Sequence, residues 1–189
     1  GPVEIGKSAR FRATALREGG ENASYSREFA FSKSTGRPAV LNTKPNDSYT
    51  FEGASLLVDG YHSRPVFTSG AWLGYLDEPL DVTIDMGGEQ SYRSVELETL
   101  AEKGDWIFPP SSVTVWVSDN GTDFTEVASV TVPEAKAGDA DGIGRYRMQF
   151  PETSARYLKV VAQNAAAIPA WHPGAGSKGF LFVDEVVVE

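Results

Sequence analysis

Val113-Thr-Val-Trp-Val-Ser-Asp-Asn-Gly-Thr-Asp-Phe124 decides the fold. Its first half alternates with period two, the pattern of a strand that buries one face. Asp119-Asn-Gly121 then supplies the residue types that turn a chain back on itself, and Phe124 opens the next segment. Working outward, the same alternation recurs in Leu80-Asp-Val-Thr-Ile-Asp-Met86, in Tyr92 to Leu100 and in Arg145-Tyr-Arg-Met-Gln-Phe150. Tyr157 to Ala162 and Phe180 to Val188 read as strands too, with short ones expected at Ala39 to Thr43 and Ala54 to Val58. Met86-Gly-Gly88 and Gly138-Asp-Ala-Asp-Gly142 are turn or loop chemistry between them. No stretch carries a 3.6-residue apolar period of helical length. Many short strands punctuated by Gly and Pro predict an all-β antiparallel sandwich.

The N-terminal part reads separately. Ser8 to Leu16 and Ser24 to Phe31 form a hairpin pattern around Glu18-Gly-Gly-Glu-Asn22, with Tyr25, Phe29 and Phe31 on one face. Ser34-Thr-Gly-Arg-Pro38 marks a break. This divides the chain into a two-strand remnant over 3–36 and the main domain over 37–189. Gly1-Pro2 reads as the scar of a cleaved tag. Two strands cannot bury a core alone, so the remnant is expected to pack on the main domain or fray.

Composition narrows the function classes. The 189 residues are 41% hydrophobic and 23% charged, with no cysteine, so no disulfide or thiolate metal site holds the chain together. Twenty-six acidic against 17 basic residues give a net charge of -9. That balance argues against a nucleic-acid or anionic-membrane partner, which needs clustered Lys and Arg. No apolar run approaches the ~20 residues of a membrane-crossing helix, so no membrane insertion is expected.

Catalysis finds little footing. The two histidines, His62 and His172, stand in no His-Glu-x-x-His motif, and no Gly-x-Ser-x-Gly or phosphate-loop motif occurs. Glycoside hydrolysis needs two carboxylates flanking one bond. Asp184 and Glu185 are adjacent on a strand, and simple alternation sends them to opposite faces. Binding fits better. Sugars offer C–H faces that stack on aromatic rings and hydroxyls that need polar partners. Trp106 and Trp171 stand in Gly- and Pro-flanked loops, each beside a polar residue, Asp105 and His172. Tyr75, Lys178 and His62 are further candidates. The opposing reading is that these loops are apolar anchors, since Ile107 and Phe108 accompany Trp106 and resist exposure. Trp72 and Trp116 read as packing residues.

From about Arg37 to Glu189 the chain resembles the discoidin family, the coagulation factor V/VIII type C fold, in its carbohydrate-binding branch. The resemblance is carried in order by Leu57-Val-Asp-Gly60, Trp72-Leu-Gly-Tyr75, Val82 to Gly87, Val113 to Phe124, Ala155-Arg-Tyr-Leu-Lys-Val-Val161 and Phe182-Val-Asp-Glu-Val186. Gly104-Asp-Trp-Ile-Phe-Pro-Pro110 and Pro169-Ala-Trp-His-Pro-Gly-Ala-Gly176 are similar to modules at the C-terminal end of bacterial chitobiase-type β-N-acetylhexosaminidases. The first 36 residues resemble the tail of the small β-sandwich preceding such modules.

The resemblance implies a discoidin-like jelly roll with a galactose-binding-like fold. It implies a non-catalytic, monomeric module that targets a secreted bacterial hydrolase to galactose- or N-acetylhexosamine-bearing glycans. The expected partners are a glycan and the parent catalytic domain, in the periplasm, at the cell surface or outside the cell. A structural calcium ion is also implied, with side chains from Asp59 and Glu185 and carbonyls from Leu56, Tyr61 and Asp184; calcium accepts such all-oxygen sets. Gly70, where the family carries Thr or Ser, departs from its loop. The competing expectation is a spacer whose Trp loops pack on the catalytic domain.

Overall fold

The computed structural model describes residues 6–16, 19–20 and 23–189. Gly1-Pro2 and most of the Glu18–Asn22 turn lie outside them. Nine strands are formed: β1 (Ala9–Ala15), β2 (Ala23–Phe29), β3 (Ala39–Leu41), β4 (Leu73–Tyr75), β5 (Leu80–Ala101), β6 (Ser112–Ser118), β7 (Thr125–Thr131), β8 (Gly142–Gln163) and β9 (Leu181–Val188). β1 and β2 pair only with each other. The remaining seven form one antiparallel system in the order β4-β9-β5-β8-β6-β7, with β3 on β5.

The two 22-residue strands make this system a sandwich. Leu80–Asp85 of β5 pair with Tyr157–Ala162 of β8, and the sheet is completed by β3, β6 and β7. Ser94–Ala101 of β5 pair instead with Gly142–Gln149 of β8 and with β9, which carries β4. Register shifts between Asp85 and Gln90 and between Tyr92 and Ser94 mark the corner where both strands pass from one sheet to the other. Sequence alternation sees these as four separate strands because a bulged corner interrupts the period. Leu80, Val82, Ile84, Val113, Val115, Leu158 and Val160 line the inner side of the first sheet and share the main core with Val95, Leu97 and Val183 of the second. Trp116 alternates out of it and is half-buried on the outer face.

The β6–β7 turn has a defined cause. The Asn120 side-chain oxygen accepts hydrogen bonds from Thr122 N (2.9 Å) and Asp123 N (2.9 Å), and Gly121 takes φ 77°. β7 and β4 were not legible as strands; β4 is three residues long and fully buried, so it shows no alternation. Ala54–Val58 is not a strand. Gly53–Val58 is a 3-10 turn that buries Leu56, Leu57 and Val58 between β3 and β9.

The stretch around Ser34–Pro38 is docked rather than loose. Ala30 N donates to Gly60 O (2.7 Å), Lys33 N to Val188 O (3.0 Å), Gly36 N to Val58 O (2.7 Å) and Ser34 Oγ to Val186 O (2.6 Å). Main-chain attachment to the sandwich therefore begins at Ala30. The hairpin before it is exposed along both strands, with Phe29 packed between Phe11 and Tyr61.

Gly74 tests the tightness of the β4 edge. A Cβ there would lie 2.9 Å from the Phe182 ring and 2.9 Å from Tyr49 Cβ. Gly74→Ala is expected to cost roughly 1–3 kcal/mol through overpacking, read as a lowered urea midpoint with an unchanged slope.

Candidate functional site

The loops after β5, β7 and β8 all leave the sandwich at one end. Ala101 faces Gly142, Ser112 faces both Gln163 and Thr131, and Leu100 faces Phe182. Lys103 ties these loops together. Its nearly buried ammonium donates to Asp139 O (2.9 Å) and pairs with the Asp141 carboxylate, whose pKa it holds low. Its carbonyl receives Trp106 N (3.0 Å) and stands 2.9 Å from His172 Nε2. A bridge between Ile107 and Phe180, with Phe180 N on Trp106 O (2.8 Å), joins the Trp106 loop to the Trp171 loop.

The two Trp rings share one support. Trp106 meets the His172 ring edge-on at 6.1 Å and Trp171 meets it at 5.6 Å. Trp106 also rests against Gly174, where a Cβ would come within 2.8 Å of the ring. Trp171 Nε1 donates to Ala135 O (2.9 Å). Even so, the rings stay 42% and 39% exposed, while Ile107 and Phe108 turn inward. The loops are thus anchored and their Trp rings are presented, which reconciles the two opposing expectations. An apolar groove of about 460 Å³ adjoins this end, lined by Phe108, Pro109, Ala135, Ile168 and Pro169 among others.

Two candidates are buried. His172 is buried; Nδ1 accepts from Gly174 N (3.0 Å) and Nε2 donates to Lys103 O, so both nitrogens are engaged. It positions the Trp rings and offers nothing to a ligand. Tyr75 is fully buried in β4 with its hydroxyl unpartnered, and burial pushes its pKa up. Asp105 is exposed beside Trp106, and Lys178 is exposed but bonded to Asp77 (2.6 Å).

His62 belongs to a second cluster, on the outward face of β5 and β9. Its Nδ1 lies 3.0 Å from Glu98 Oε2, which also accepts from Arg145 Nε at 2.8 Å. Glu98 and Arg145 are residues the sequence reading missed. Alternation places Glu98 on a solvent face, but the loop through His62 covers that face and leaves the residue 1% exposed. Asp184 and Glu185 correct the alternation argument. A bulge sets Asp184 and Glu185 of β9 against Glu98 alone, since Val186 pairs Leu97 and Val183 pairs Thr99. Both carboxylates therefore reach one loop: Asp184 accepts from Ser63 N (2.7 Å) and Glu185 from Gly60 N (3.2 Å). Burial, reinforced by the neighbouring carboxylates, pushes both pKa values up.

Asp59 is exposed and accepts from Tyr61 N (2.7 Å), and its charge helps to push the Glu185 pKa up. Glu185 Oε1 is buried without a partner. A buried carboxylate with another acid nearby calls for a proton or a cation. Among the described residues no three Asp, Glu, His or Cys side chains are placed to grip one ion. The pair fits calcium only if main-chain carbonyls complete the set.

Residues 41–178 match the F5/8 type C domain. The chain belongs to that family. No curated protein sequence matches it. Among solved structures, the fold is shared with the module CpGH89CBM32-5 of Clostridium perfringens, solved with GalNAc-β-1,3-galactose (17% identity, TM-score 0.53, 80% of this chain and 93% of that one). It is shared with chitosan-binding module 2 of a Paenibacillus sp. IK-5 chitosanase/glucanase, solved with chitotriose (18%, 0.53, 82% and 98%). A Streptococcus pneumoniae fucose binding module is also similar (22%, 0.51, 84% and 94%).

Glu98 raises the His62 pKa through its hydrogen bond, against the effect of burial. A raised folded value means a stabilising contribution that is fully present below the ordinary histidine value of about 6.5 and lost as pH rises through the folded value. NMR titration should place the His62 midpoint above that of an exposed histidine. Glu98→Gln should bring it down; an unchanged midpoint would show that the pair does not set the proton.

Proposed function

We propose that this F5/8 type C domain is a non-catalytic carbohydrate-binding module of a secreted glycoside hydrolase. The observation that carries it is the pair of exposed Trp rings, Trp106 and Trp171, held on either side of buried His172 at one end of the sandwich. Exposed aromatics on anchored loops are the physical requirement for stacking a sugar. The ligand of one similar structure, GalNAc-β-1,3-galactose, supports galactose- or N-acetylhexosamine-containing glycans as the class. Asp105 is the polar group placed to take a hydroxyl beside Trp106.

The parent chain would be a β-N-acetylhexosaminidase of the chitobiase type, on the likeness of Gly104–Pro110 and Pro169–Gly176, acting in the periplasm, at the cell surface or outside the cell. The hairpin before Ala30 would be the end of a preceding sandwich, and the module would be a monomer. A shallow site gains little beyond its ordering cost, so affinity is expected on the order of 1 mM, about 4 kcal/mol. A glycan array followed by calorimetry tests this. Trp106→Ala and Trp171→Ala should each lower affinity on the order of tenfold, about 1.4 kcal/mol. Wild-type protein that binds no galacto- or N-acetylated glycan would leave the spacer reading.

Calcium belongs to the same proposal. Asp59 and Glu185 would hold it, with carbonyls of Leu56, Tyr61 and Asp184, and its charge would offset the buried acids beneath the Gly60 loop. The unpartnered Glu185 Oε1 supports this. Calcium should raise Tm by several degrees over EDTA, since occupancy at a hundredfold over Kd stabilises by about 2.7 kcal/mol. Glu185→Gln should raise Tm in EDTA, because the neutral form is the one burial favours, and should abolish the calcium response. Equal calcium shifts in both proteins would remove Glu185 from the site.

A further inference from the structure

Among the described residues only two that are not glycine hold a left-handed backbone: Phe51 at φ 36° and Trp106 at φ 64°. Both are aromatic, and both are exposed, by 46% and 42%. The combination is doubly unfavourable. A side chain with a Cβ is strained at such angles, and a ring left in water forgoes its burial. Strained residues that also present apolar surface cluster where a chain serves a ligand.

The strain at Phe51 has a local cause. The residue stands between two 3-10 turns, Asp47–Tyr49 and Gly53–Val58, and Gly53 N donates to Thr50 O (2.7 Å) across it. Glycine would take this position freely; phenylalanine takes it and holds its ring outward. The ring lies beside Gly70, where a Cβ would sit 3.6 Å away, and is tilted against Tyr49 at 6.4 Å. Its inner side is therefore braced.

Aromatic contacts run from Phe51 to the loop of Trp106. Tyr49 meets Phe180 at 5.5 Å, and Phe180 N donates to Trp106 O (2.8 Å). Tyr49 and Phe180 are themselves only partly buried, a strip of aromatic residues that leads from Phe51 to the main chain of Trp106. Tyr49 and Phe180 both pack on the small core of Trp72, Leu100, Ile107 and Phe182.

We propose that Phe51 is a second sugar-stacking residue, so that the module binds an oligosaccharide laid along the strip from Trp106 to Phe51. This rests on the reading that the Trp106 end binds sugar, and it adds a subsite at a distance from the two Trp rings. One sugar ring covers one aromatic side chain, so Phe51 is reached only by a second or later sugar.

The test titrates glucosamine against chitotriose, and galactose against GalNAc-β-1,3-galactose, into wild type, Phe51→Gly, Phe51→Tyr and Trp106→Ala. The wild type is expected to bind the longer member of at least one pair about tenfold more tightly. Phe51→Gly should remove that gain and leave monosaccharide affinity unchanged, Phe51→Tyr should keep it, and Trp106→Ala should weaken both members. Urea denaturation of Phe51→Gly should show equal or greater stability, because glycine relieves the backbone. A longer sugar bound equally well by Phe51→Gly overturns the proposal while the sugar reading stands, as does a wild type that binds both members alike. Loss of stability in Phe51→Gly marks the ring as a packing anchor and overturns it too. A wild type that binds nothing removes both readings together.

Discussion

The structure depends on β5 and β8 crossing from one sheet to the other as a hydrogen-bonded pair. Neither sheet is closed without them, and neither corner residue set is free to shift alone. Because both strands turn back after the corner, their far ends return to the level at which they began. Leu80 and Ala101 of β5 thus lie at the same end, as do Gly142 and Gln163 of β8. Every long loop attached to those ends is delivered there: 76–79, 102–111, 132–141 and 164–180. A site built from loops far apart in sequence follows from this path, in the manner of rigid scaffolds that carry function on their loops.

The loops would not hold a surface in place without Lys103. Its ammonium, with seven percent of the residue exposed, binds the loop before β8, and its carbonyl binds the loop before β9. A buried cation needs such partners, because its lost hydration must be replaced. Asp141 supplies the opposite charge, Asp139 O a second acceptor. His172 then passes the constraint on to both Trp rings. On the outer face of β9 the arrangement is reversed in sign. Glu98 has the Arg145 guanidinium and the His62 imidazole as partners, while Asp184 and Glu185 rely on main-chain N–H groups. The two clusters share the sheet but solve opposite problems.

The alternating strands and the turn after Ser118 were legible because core-facing residues of β5, β6 and β8 are mostly apolar and outer ones mostly polar, Trp116 and Val161 excepted. The corner was not, because Gly87 and Gly88 and the register shifts carry no hydrophobic signal across it. Leu56-Leu-Val58 misled for a related reason: three consecutive apolar residues suit a buried strand or a buried 3-10 turn equally. The exposure of Trp106 and Trp171 followed from their loop setting. His172 was misjudged because a polar residue beside an exposed ring can serve the loop instead of the ligand. Asp184 and Glu185 share a face through a bulge of one residue, and Glu98 is buried by a loop some forty residues earlier in the chain; local sequence encodes neither.

The exposed rings make sense only together with the rigidity beneath them. A sugar on an open surface gains a small contact energy, most of which is lost if the protein must order loops to receive it. Here that ordering is complete beforehand: Trp171 is fixed by Ala135 O, Trp106 by Gly174 and a left-handed turn, and both by one imidazole. The folding energy of the sandwich, rather than the binding energy of the ligand, has met the cost of holding apolar rings in water. That division is what a weak binding module requires, because its affinity has no surplus from which to order itself.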